Sequence, residues 1–287
     1  MNDRFYTTQA FIGARKDSRA KGVLYGLPMD WTTTYRAGAR FGPTRIREAS
    51  WVHEEYSPYL RKELGEVSYC DSGDLQLVAG NIDNSLEIIY SYVKKQLAEQ
   101  KVLFGIGGEH LVTWPIVKAF YEHYQDLVVV QLDAHADLCS EYEGQALSHA
   151  TVMYQIANLV GSTNVYQFGL RSFTRAEEKF AANAHINFYP FQLLEPIRQV
   201  IKNWGSLPVY LTVDIDVLDP AYAPGTGTPE PGGFKSSELL EVIHLLVKEK
   251  INIVGVDLVE VAPNYDLSER TVILAAKILR EMLLGFL

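Results

Sequence analysis

Short apolar runs alternate with amphipathic segments along most of this chain. Eight of the runs are rich in Val, Leu and Ile, and most are continuous, which is typical of strands buried on both faces of a parallel sheet. They predict strands at Val23–Tyr25, Val67–Cys70, Val102–Ile106, Leu127–Leu132, Val165–Phe168, Ile186–Tyr189, Val209–Val213 and Ile253–Leu258. Helical periodicity predicts helices at Pro43–Leu60, Ile82–Glu99, Trp114–Tyr124, His149–Leu159, Arg175–Ala182, Leu193–Asn203, Ser236–Lys248 and Leu267–Leu284.

The order of these elements predicts the fold class. Asn81 and Ser236 stand where helix N-caps are expected, and Pro43 suits a first helical turn. Regular alternation of strand and helix predicts an α/β fold, a three-layer α/β/α sandwich around a mostly parallel eight-stranded sheet. The chain shows no repeat, low-complexity tract or long linker, so we expect one domain spanning residues 1–287. Two Gly- or Thr-rich stretches, Asp219–Gly233 and Trp31–Gly42, are predicted to be site loops.

Composition narrows the class of protein. The 287 residues are 47% hydrophobic and carry a net charge of −9, which argues against nucleic-acid binding and mildly favours cationic small molecules. Only two cysteines occur, Cys70 and Cys139, as expected for a reducing compartment rather than a disulfide framework. The first ten residues lack the pattern of a signal peptide, and no apolar stretch reaches the ~18–20 residues of a membrane span. We therefore expect a cytoplasmic protein that binds neither nucleic acid nor membrane.

Four aspartates and two histidines occur at spacings typical of a metal site. They lie in G-G-E-H, which ends at His110, in D-A-H-A-D and in D-I-D, and the six residues are His110, Asp133, His135, Asp137, Asp214 and Asp216. These stretches end the third, fourth and seventh predicted strands. Open α/β sheets bind ligands beyond the carboxyl ends of their strands, so the three stretches are expected to converge there.

The donor types indicate which metal is expected. Carboxylates combined with imidazoles suit Mn²⁺ better than a structural zinc site, with Fe²⁺, Co²⁺ and Ni²⁺ as rivals. Four ionised aspartates would neutralise two divalent ions, and two such ions about 3.5–4 Å apart can share a nucleophilic hydroxide. The alternative is that these residues are strand-end caps or salt-bridge partners. That alternative suits a lone D-x-D better than three ligand-bearing stretches together.

These motifs resemble those of the ureohydrolases, the family of arginase, agmatinase and their relatives. The family carries G-G-[DE]-H, D-A-H-x-D and a long motif that here reads D-I-D-V-L-D-P-A-Y-A-P-G-T-G-T-P-E-P-G-G, from Asp214 to Gly233. The resemblance runs from about Gly22 to the C-terminus and includes Y-R-A-G-A-R-F-G-P at Tyr35–Pro43. It implies an arginase-like fold and an enzyme that hydrolyses a guanidino group, in a homo-oligomer that is a trimer or hexamer.

The resemblance also implies roles for individual residues. It implies two Mn²⁺ ions per chain, the first held by His110, Asp133, Asp137 and Asp214 and the second by Asp133, His135, Asp214 and Asp216, so that Asp133 and Asp214 bridge. Glu260 matches the glutamate that pairs with the substrate guanidinium, and His149 matches a histidine that transfers protons at the mouth of the site. Asp137 would also carry a proton to the departing nitrogen. The residue-based alternatives are that His149 caps a helix and that Glu260 forms a strand-end salt bridge.

The substrate implied is a small cationic guanidino compound. The segments Tyr35–Pro43 and Thr228–Gly233 are more similar to agmatinases than to arginases, and Cys139 stands where arginases usually place an asparagine that helps hold the substrate carboxylate. We therefore expect hydrolysis of agmatine to putrescine and urea. Ala136 and Ala150 depart from the usual family residues and leave the tail preference open.

Several alternatives remain. The chain could be an arginase or another amidinohydrolase such as a guanidinobutyrase. A binuclear amide or phosphate hydrolase is less favoured. A phosphate site would need Arg or Lys side chains to bind the phosphate, and the ligand stretches show none nearby. A different class is a non-catalytic, metal-dependent protein that binds polyamines.

Overall fold

A computed structural model describes residues 5–6, 9–17 and 19–287, with only the backbone of residues 5 and 6. The strands are β1 (Phe5–Tyr6), β2 (Gly22–Gly26), β3 (Tyr56–Ser57), β4 (Lys62–Glu63), β5 (Tyr69–Leu75), β6 (Val102–Ile106), β7 (Val128–Leu132), β8 (Val165–Phe168), β9 (Asn187–Tyr189), β10 (Val209–Asp214) and β11 (Ile253–Val259). The helices are α1 (Gly42–Ser50), α2 (Ile82–Ala98), α3 (Thr113–His123), α4 (Val152–Val160), α5 (Arg175–Ala184), α6 (Leu194–Trp204), α7 (Ser236–Lys248) and α8 (Arg270–Phe286).

The main sheet has nine strands in the order β1-β5-β2-β6-β11-β10-β7-β8-β9. Eight of them are parallel and correspond to the eight predicted strands, whereas the unpredicted β1 pairs antiparallel with the edge strand β5. The predicted fold class is therefore confirmed. The last two strands, β10 and β11, lie between β6 and β7, so the chain leaves the middle of the sheet and returns to it.

Helices cover both faces of the sheet and divide the core into two apolar clusters. One cluster contains side chains of α1, α6, α7 and α8, and the other contains side chains of α2, α3, α4 and α5. Strand β7 supplies both clusters, with Val128 and Val130 on one side and Val129 on the other. Because successive strand side chains point to opposite faces, a strand buried on both faces reads as a continuous apolar run.

The first predicted helix was wrong in its second half. Helix α1 ends at Ser50, and the chain then forms the short hairpin of β3 and β4 rather than a helix to Leu60. Pro58 opposes a helix through this segment, because it lacks a backbone donor and clashes with the preceding turn. Contacts with α8 hold the hairpin region instead, since Arg280 Nη1 donates to Glu54 O at 2.7 Å.

Other boundaries moved by a few residues. Strand β5 starts two residues later than predicted and runs to Leu75. Ser236 is the first residue of α7 rather than its N-cap, and the carboxylate of Glu238 accepts from the N-cap Lys235 N at 2.9 Å. Asn81 is confirmed as a cap, because its side chain accepts from Asn84 N at 3.0 Å. Pro43 lies in the first turn of α1 as predicted.

A buried carboxylate on α8 ties the hairpin to the rest of the fold. Glu281 is fully buried and accepts hydrogen bonds from Ser57 Oγ at 2.7 Å and Arg280 Nη2 at 2.7 Å, and His244 Nε2 lies 2.9 Å from it. Burial opposes its charge, but the hydrogen bonds from His244, Ser57 and Arg280 outweigh burial and lower the pKa of Glu281 to about 2.

Glu281→Gln is expected to reduce the free energy of unfolding by about 3 kcal/mol at pH 7, because it leaves the buried Arg280 without its counter-charge. A carboxylate whose pKa is lowered by folding contributes stability above its unfolded pKa, and the contribution is lost as pH falls through its folded pKa. The wild type should therefore lose this contribution between about pH 4.5 and 2, and the variant should lack that loss.

Urea unfolding followed by circular dichroism at pH 7 and in this acid range measures the effect. Glu241→Gln is the matched control on α7, because the Glu241 side chain is 53% exposed in its ion pair with Arg198. We expect the control to change the free energy of unfolding by less than about 0.5 kcal/mol. Equal values for both variants would contradict the role given to Glu281.

The sequence led us to expect neither a membrane-spanning helix nor a signal peptide. In the part of the chain that the structure describes, no helix has both the length and the apolar character needed to cross a membrane. The expected lack of a signal peptide concerns the first ten residues, most of which lie outside the described part.

Candidate metal centre

Four neighbouring strands bring the predicted ligand stretches to one edge of the sheet. Strands β6, β11, β10 and β7 are consecutive in the sheet, and Val213 on β10 pairs with Leu132 on β7. In both cases the next residue along the chain is an aspartate, Asp214 after Val213 and Asp133 after Leu132. Parallel strands in register end together, so these carboxylates are brought side by side.

A first cluster forms around His110. Its Nδ1 lies 3.0 Å from Asp133 Oδ2, 3.1 Å from Asp137 Oδ2 and 3.5 Å from Asp214 Oδ2. All four side chains are almost completely buried. His110, Asp133 and Asp137 each offer a ligand atom within 4.8 Å of the others. Atoms this close together could bind one metal ion.

A second cluster lies beside the first and shares Asp133 with it. His135 Nδ1 is 2.9 Å from Asp216 Oδ2 and 3.6 Å from Asp133 Oδ1, and the three residues again offer ligand atoms within 4.8 Å. The two oxygens of Asp133 thus face different clusters. Asp214 Oδ1 accepts from Asp216 N at 2.8 Å, and only its other oxygen faces His110.

The electrostatics of these clusters fit bound divalent cations. His110 Nδ1 is buried without a hydrogen-bond partner, although three carboxylates of described residues surround it. Burial and then the neighbouring Asp216 and Asp133 raise the pKa of Asp214, and burial and Asp133 raise the pKa of Asp137 to about 7. Carboxylates this close repel one another unless a cation lies between them. Two divalent ions would balance the four carboxylates and use the free lone pair of His110.

Buried polar side chains orient Asp133 and His110. Gln131 Nε2 donates to Asp133 Oδ2 at 2.6 Å, and Gln167 in turn donates to Gln131. Thr212 Oγ1 donates to the carboxylate of Asp257 at 2.6 Å, so at its 2.9 Å contact with His110 Nε2 it acts as the acceptor. This arrangement keeps the proton of His110 on Nε2 and leaves Nδ1 free as a ligand.

Glu260 lies next to the first cluster at the end of β11. Its Oε1 accepts from His110 N at 2.8 Å, and the side chain lines the same cavity. Burial and then the charge of Glu109 raise the pKa of Glu260 to about 8. Glu260 and Asp137 both have left-handed backbones, with φ of 62° and 54°. Non-glycine residues seldom adopt this conformation, and it is often retained at functional sites.

His149 lies at the cavity wall and does not cap the following helix. Ser148 N donates to Thr151 Oγ1 at 2.9 Å and so caps a short 3-10 turn at His149–Thr151. Helix α4 begins at Val152 rather than at His149. The backbone N of His149 donates to Thr32 Oγ1 at 3.0 Å. Burial, followed by the nearby His135, lowers the pKa of His149 to about 4, so its ring is neutral near pH 7.

Residues of both clusters line one cavity of about 400 Å³ together with Glu260 and His149. Both predicted site loops reach it, through Thr34, Tyr35 and Thr228. Ala136 and Ala150, the departures from the family pattern, are also at its wall. Cys139 lines it too, and burial followed by Glu177 raises the pKa of its thiol to about 11, so Cys139 stays protonated.

Sequence reasoning missed the residues that hold the site loops. Arg171 Nη2 donates to Asp216 O at 2.6 Å and to Glu230 O at 2.7 Å, and it thereby clamps the D-I-D stretch to the Gly/Pro-rich loop. Asp219 closes that loop by accepting from the backbone N of Gly232 at 2.8 Å and of Gly233 at 3.0 Å. The signal for Asp219 was its place in the D-P turn, whereas nothing local indicated Arg171.

One glycine of G-G-E-H is required by close packing. A Cβ at Gly108 would lie 1.8 Å from Met29 O, so only glycine lets the loop after β2 lie against the loop after β6. This approach brings the Thr-rich segment to the edge of the metal clusters.

Comparisons with known proteins agree with this geometry. Residues 20–285 match the profile of the Arginase family. The agmatinase of Halalkalibacterium halodurans is 51% identical over 285 residues, covering 99% of both chains, and the agmatinase of Bacillus subtilis is 49% identical over 99% of this chain and 98% of its own. The crystal structure of the agmatine ureohydrolase of Thermoplasma volcanium superposes with a TM-score of 0.87 at 30% identity, covering 98% of this chain and 95% of that one. The chain therefore belongs to the arginase family.

Proposed function

We propose that this protein hydrolyses the guanidino group of agmatine to give putrescine and urea. Members of the arginase family are hydrolases that act on guanidino groups at a binuclear metal centre. The observation that carries the proposal is the single cavity that joins the paired His/Asp clusters to the buried carboxylate of Glu260. The relatives named above, an agmatine ureohydrolase among them, support it.

The lining of the cavity supports agmatine over arginine. The described residues that line it include the carboxylates of Asp137, Asp214, Asp216, Glu177 and Glu260 but no Lys or Arg. Agmatine is a cation at both ends, whereas arginine and guanidinobutyrate each carry a carboxylate. That carboxylate would enter an acidic cavity without a cationic partner, which costs binding free energy.

We propose two Mn²⁺ ions per chain, because the donors are carboxylates and imidazoles. The ligands would be His110, Asp133, His135, Asp137, Asp214 and Asp216, with Asp133 and Asp214 shared, as the family motif implies. Among the described residues, neither cluster contains a cysteine, and carboxylate-rich sets favour Mn²⁺ over Zn²⁺. When bound, such a pair supplies an activated water near neutral pH.

The protein residues would divide the remaining work. Glu260 would hold the guanidinium in line through its charge, with the backbone N of His110 fixing one of its oxygens. Asp137 would take the proton of the attacking water and pass it to the departing amine nitrogen. His149 would carry protons between the cavity and bulk water, which suits a neutral imidazole at the cavity wall.

A substrate panel tests the proposal. Full-length protein loaded with Mn²⁺ is given agmatine, arginine, 4-guanidinobutyrate and 3-guanidinopropionate, and urea release is measured. We expect agmatine to have the highest kcat/KM, by about 100-fold or more over arginine, since an unpaired buried charge costs several kcal/mol. A faster rate with arginine would make the protein an arginase. Binding of agmatine by calorimetry without any urea release would favour the polyamine-binding alternative.

We further propose that the chain acts as one domain, in a cytoplasmic homo-oligomer. The single domain is supported by the main sheet, whose strands extend from residue 5 to residue 259. The cytoplasmic location is supported by the two cysteines, which are unpaired in the structure. A trimer or hexamer follows only from the family resemblance. Sedimentation equilibrium of the metal-loaded protein would measure the mass of the assembly, and a monomer would contradict this part of the proposal.

A further inference from the structure

Thr32 connects His149 to a buried carboxylate that belongs to neither metal cluster. Its Oγ1 donates a hydrogen bond to Glu109 Oε2 and accepts one from His149 N at 3.0 Å. The same oxygen lies 3.3 Å from His149 Nδ1. The threonine thus contacts both the backbone and the ring of the proposed proton carrier.

Glu109 is held firmly enough to act as an anchor. It is fully buried, and its two oxygens accept from Thr32 N at 3.1 and 3.0 Å in addition to the hydroxyl. Its own backbone N donates to Met29 O at 2.7 Å, which joins the ends of β6 and β2. A carboxylate in such surroundings is a hydrogen-bond acceptor with a defined position.

The direction of these hydrogen bonds determines the protonation of the His149 ring. Thr32 has one hydroxyl proton, and Glu109 takes it. Toward His149 the oxygen is therefore an acceptor, both for the backbone N–H and for the ring contact. An acceptor at Nδ1 requires the neutral imidazole to carry its proton on Nδ1, which leaves the lone pair on Nε2.

We propose that Thr32, anchored by Glu109, is a positioning residue that holds His149 in the Nδ1–H tautomer and directs the Nε2 lone pair to the cavity. Tyr142 contacts the ring edge-on at a centroid distance of 5.5 Å, so it constrains the ring plane without selecting a tautomer. The choice of tautomer depends on Thr32, Glu109 and His149 alone. Its consequence for rate rests on the proposed function, in which Nε2 exchanges protons during urea release.

The chain offers a matched control in the next residue. Thr33 Oγ1 is buried and has no hydrogen-bond partner among the described residues, and Thr33 does not line the cavity. Thr32→Val and Thr33→Val therefore remove the same atom from adjacent positions, but only the first removes hydrogen bonds. Thr32→Ser keeps the hydroxyl and is the conservative variant expected to restore function.

Steady-state urea release from agmatine by the Mn²⁺-loaded variants is the first measurement. We expect Thr32→Val to lower kcat about tenfold with KM changed less than about twofold, a fraction of the 10²–10⁴ attributed to general acid–base groups. Thr32→Ser and Thr33→Val should remain within about twofold of wild type. In a His149→Asn background, Thr32→Val should cause no further loss, because the threonine acts through the histidine. An additive loss in that background, or an equal loss in Thr33→Val, would overturn the proposal.

The second measurement does not depend on activity. Nitrogen-15 NMR of the histidine rings is recorded on the full chain with diamagnetic Zn²⁺ replacing Mn²⁺, and His149→Asn assigns the resonance. We expect a protonated Nδ1 and an unprotonated Nε2 in the wild type, and a shift toward the Nε2–H tautomer in Thr32→Val. An Nε2–H tautomer in the wild type would overturn the proposal whatever the kinetics show. If no guanidino compound yields urea, the proposed function fails while the NMR result still decides the tautomer.

Discussion

Replacing Asp133 with Asn is expected to remove metal from both clusters and to lower the rate of urea release by about a thousandfold, or about 4 kcal/mol of transition-state stabilisation. Among the residues that the structure describes, Asp133 is the one that belongs to both groups of ligand atoms. Its oxygens are also committed to neighbouring donors, since Gln131 Nε2 contacts Oδ2 at 2.6 Å and His135 N contacts Oδ1 at 2.6 Å. Asparagine would set an amide N–H₂ against one of these donors and would supply one fewer negative charge.

Metal content per chain, measured by elemental analysis after dialysis, is the primary readout for Asp133→Asn. The increase in melting temperature on adding Mn²⁺ is an independent one, because a ligand that binds only the folded state stabilises it. Asp126→Asn is the matched control, since Asp126 precedes the same strand at its opposite end and is exposed. A variant that keeps two metals per chain and wild-type kcat would refute the assignment of Asp133.

Glu260→Gln is expected to leave the metal content unchanged and to reduce kcat/KM by about 100-fold, mainly through a higher KM. A glutamine carbonyl can still accept the hydrogen bond from His110 N, which the Glu260 carboxylate accepts at 2.8 Å, so the first cluster should keep its shape. What is lost is the negative charge facing the guanidinium, and a charge-assisted pair in a buried site contributes about 2–3 kcal/mol.

Kinetics with agmatine and calorimetric binding of the guanidinium ion to the Mn²⁺-loaded variant separate the two effects. Reduced metal content in Glu260→Gln would mean that the residue serves the metal site rather than the substrate. Normal KM and kcat would remove Glu260 from the mechanism altogether. Together with Asp133→Asn, this variant distinguishes loss of metal from loss of substrate recognition.

The eight parallel strands could be predicted because burial on both faces gives each strand a continuous apolar run in the sequence. Runs such as Val102–Ile106 lack polar positions, since helices cover both sides of the sheet. The same logic failed where a tertiary contact replaced local preference. Residues 51–63 leave the helix for a hairpin, and their Ser57 hydroxyl reaches Glu281, which is 224 residues away in the chain. No periodicity within the segment reports that partner.

The candidate ligands could be identified because their spacing follows strand ends, yet their supporting contacts could not. Thr32 and His149 are separated by 117 residues, and Thr32 and Glu109 by 77. The role of Gln131 was equally hidden, because a buried glutamine in a strand looks like an interruption of the apolar run until Asp133 is seen beside it.

The amino-acid sequence by itself determined the alternation of strands and helices, the parallel sheet and the identity of the six candidate ligands, because these depend on local burial and short spacing. Only the tertiary structure decided that β10 and β11 lie between β6 and β7, which brings Asp133 beside Asp214 and places Glu260 against His110. It also decided that the Thr32 hydroxyl lies beside the ring of His149. The physical reason is that hydrogen-bond direction and charge proximity arise between residues far apart in the chain, and only packing sets those distances.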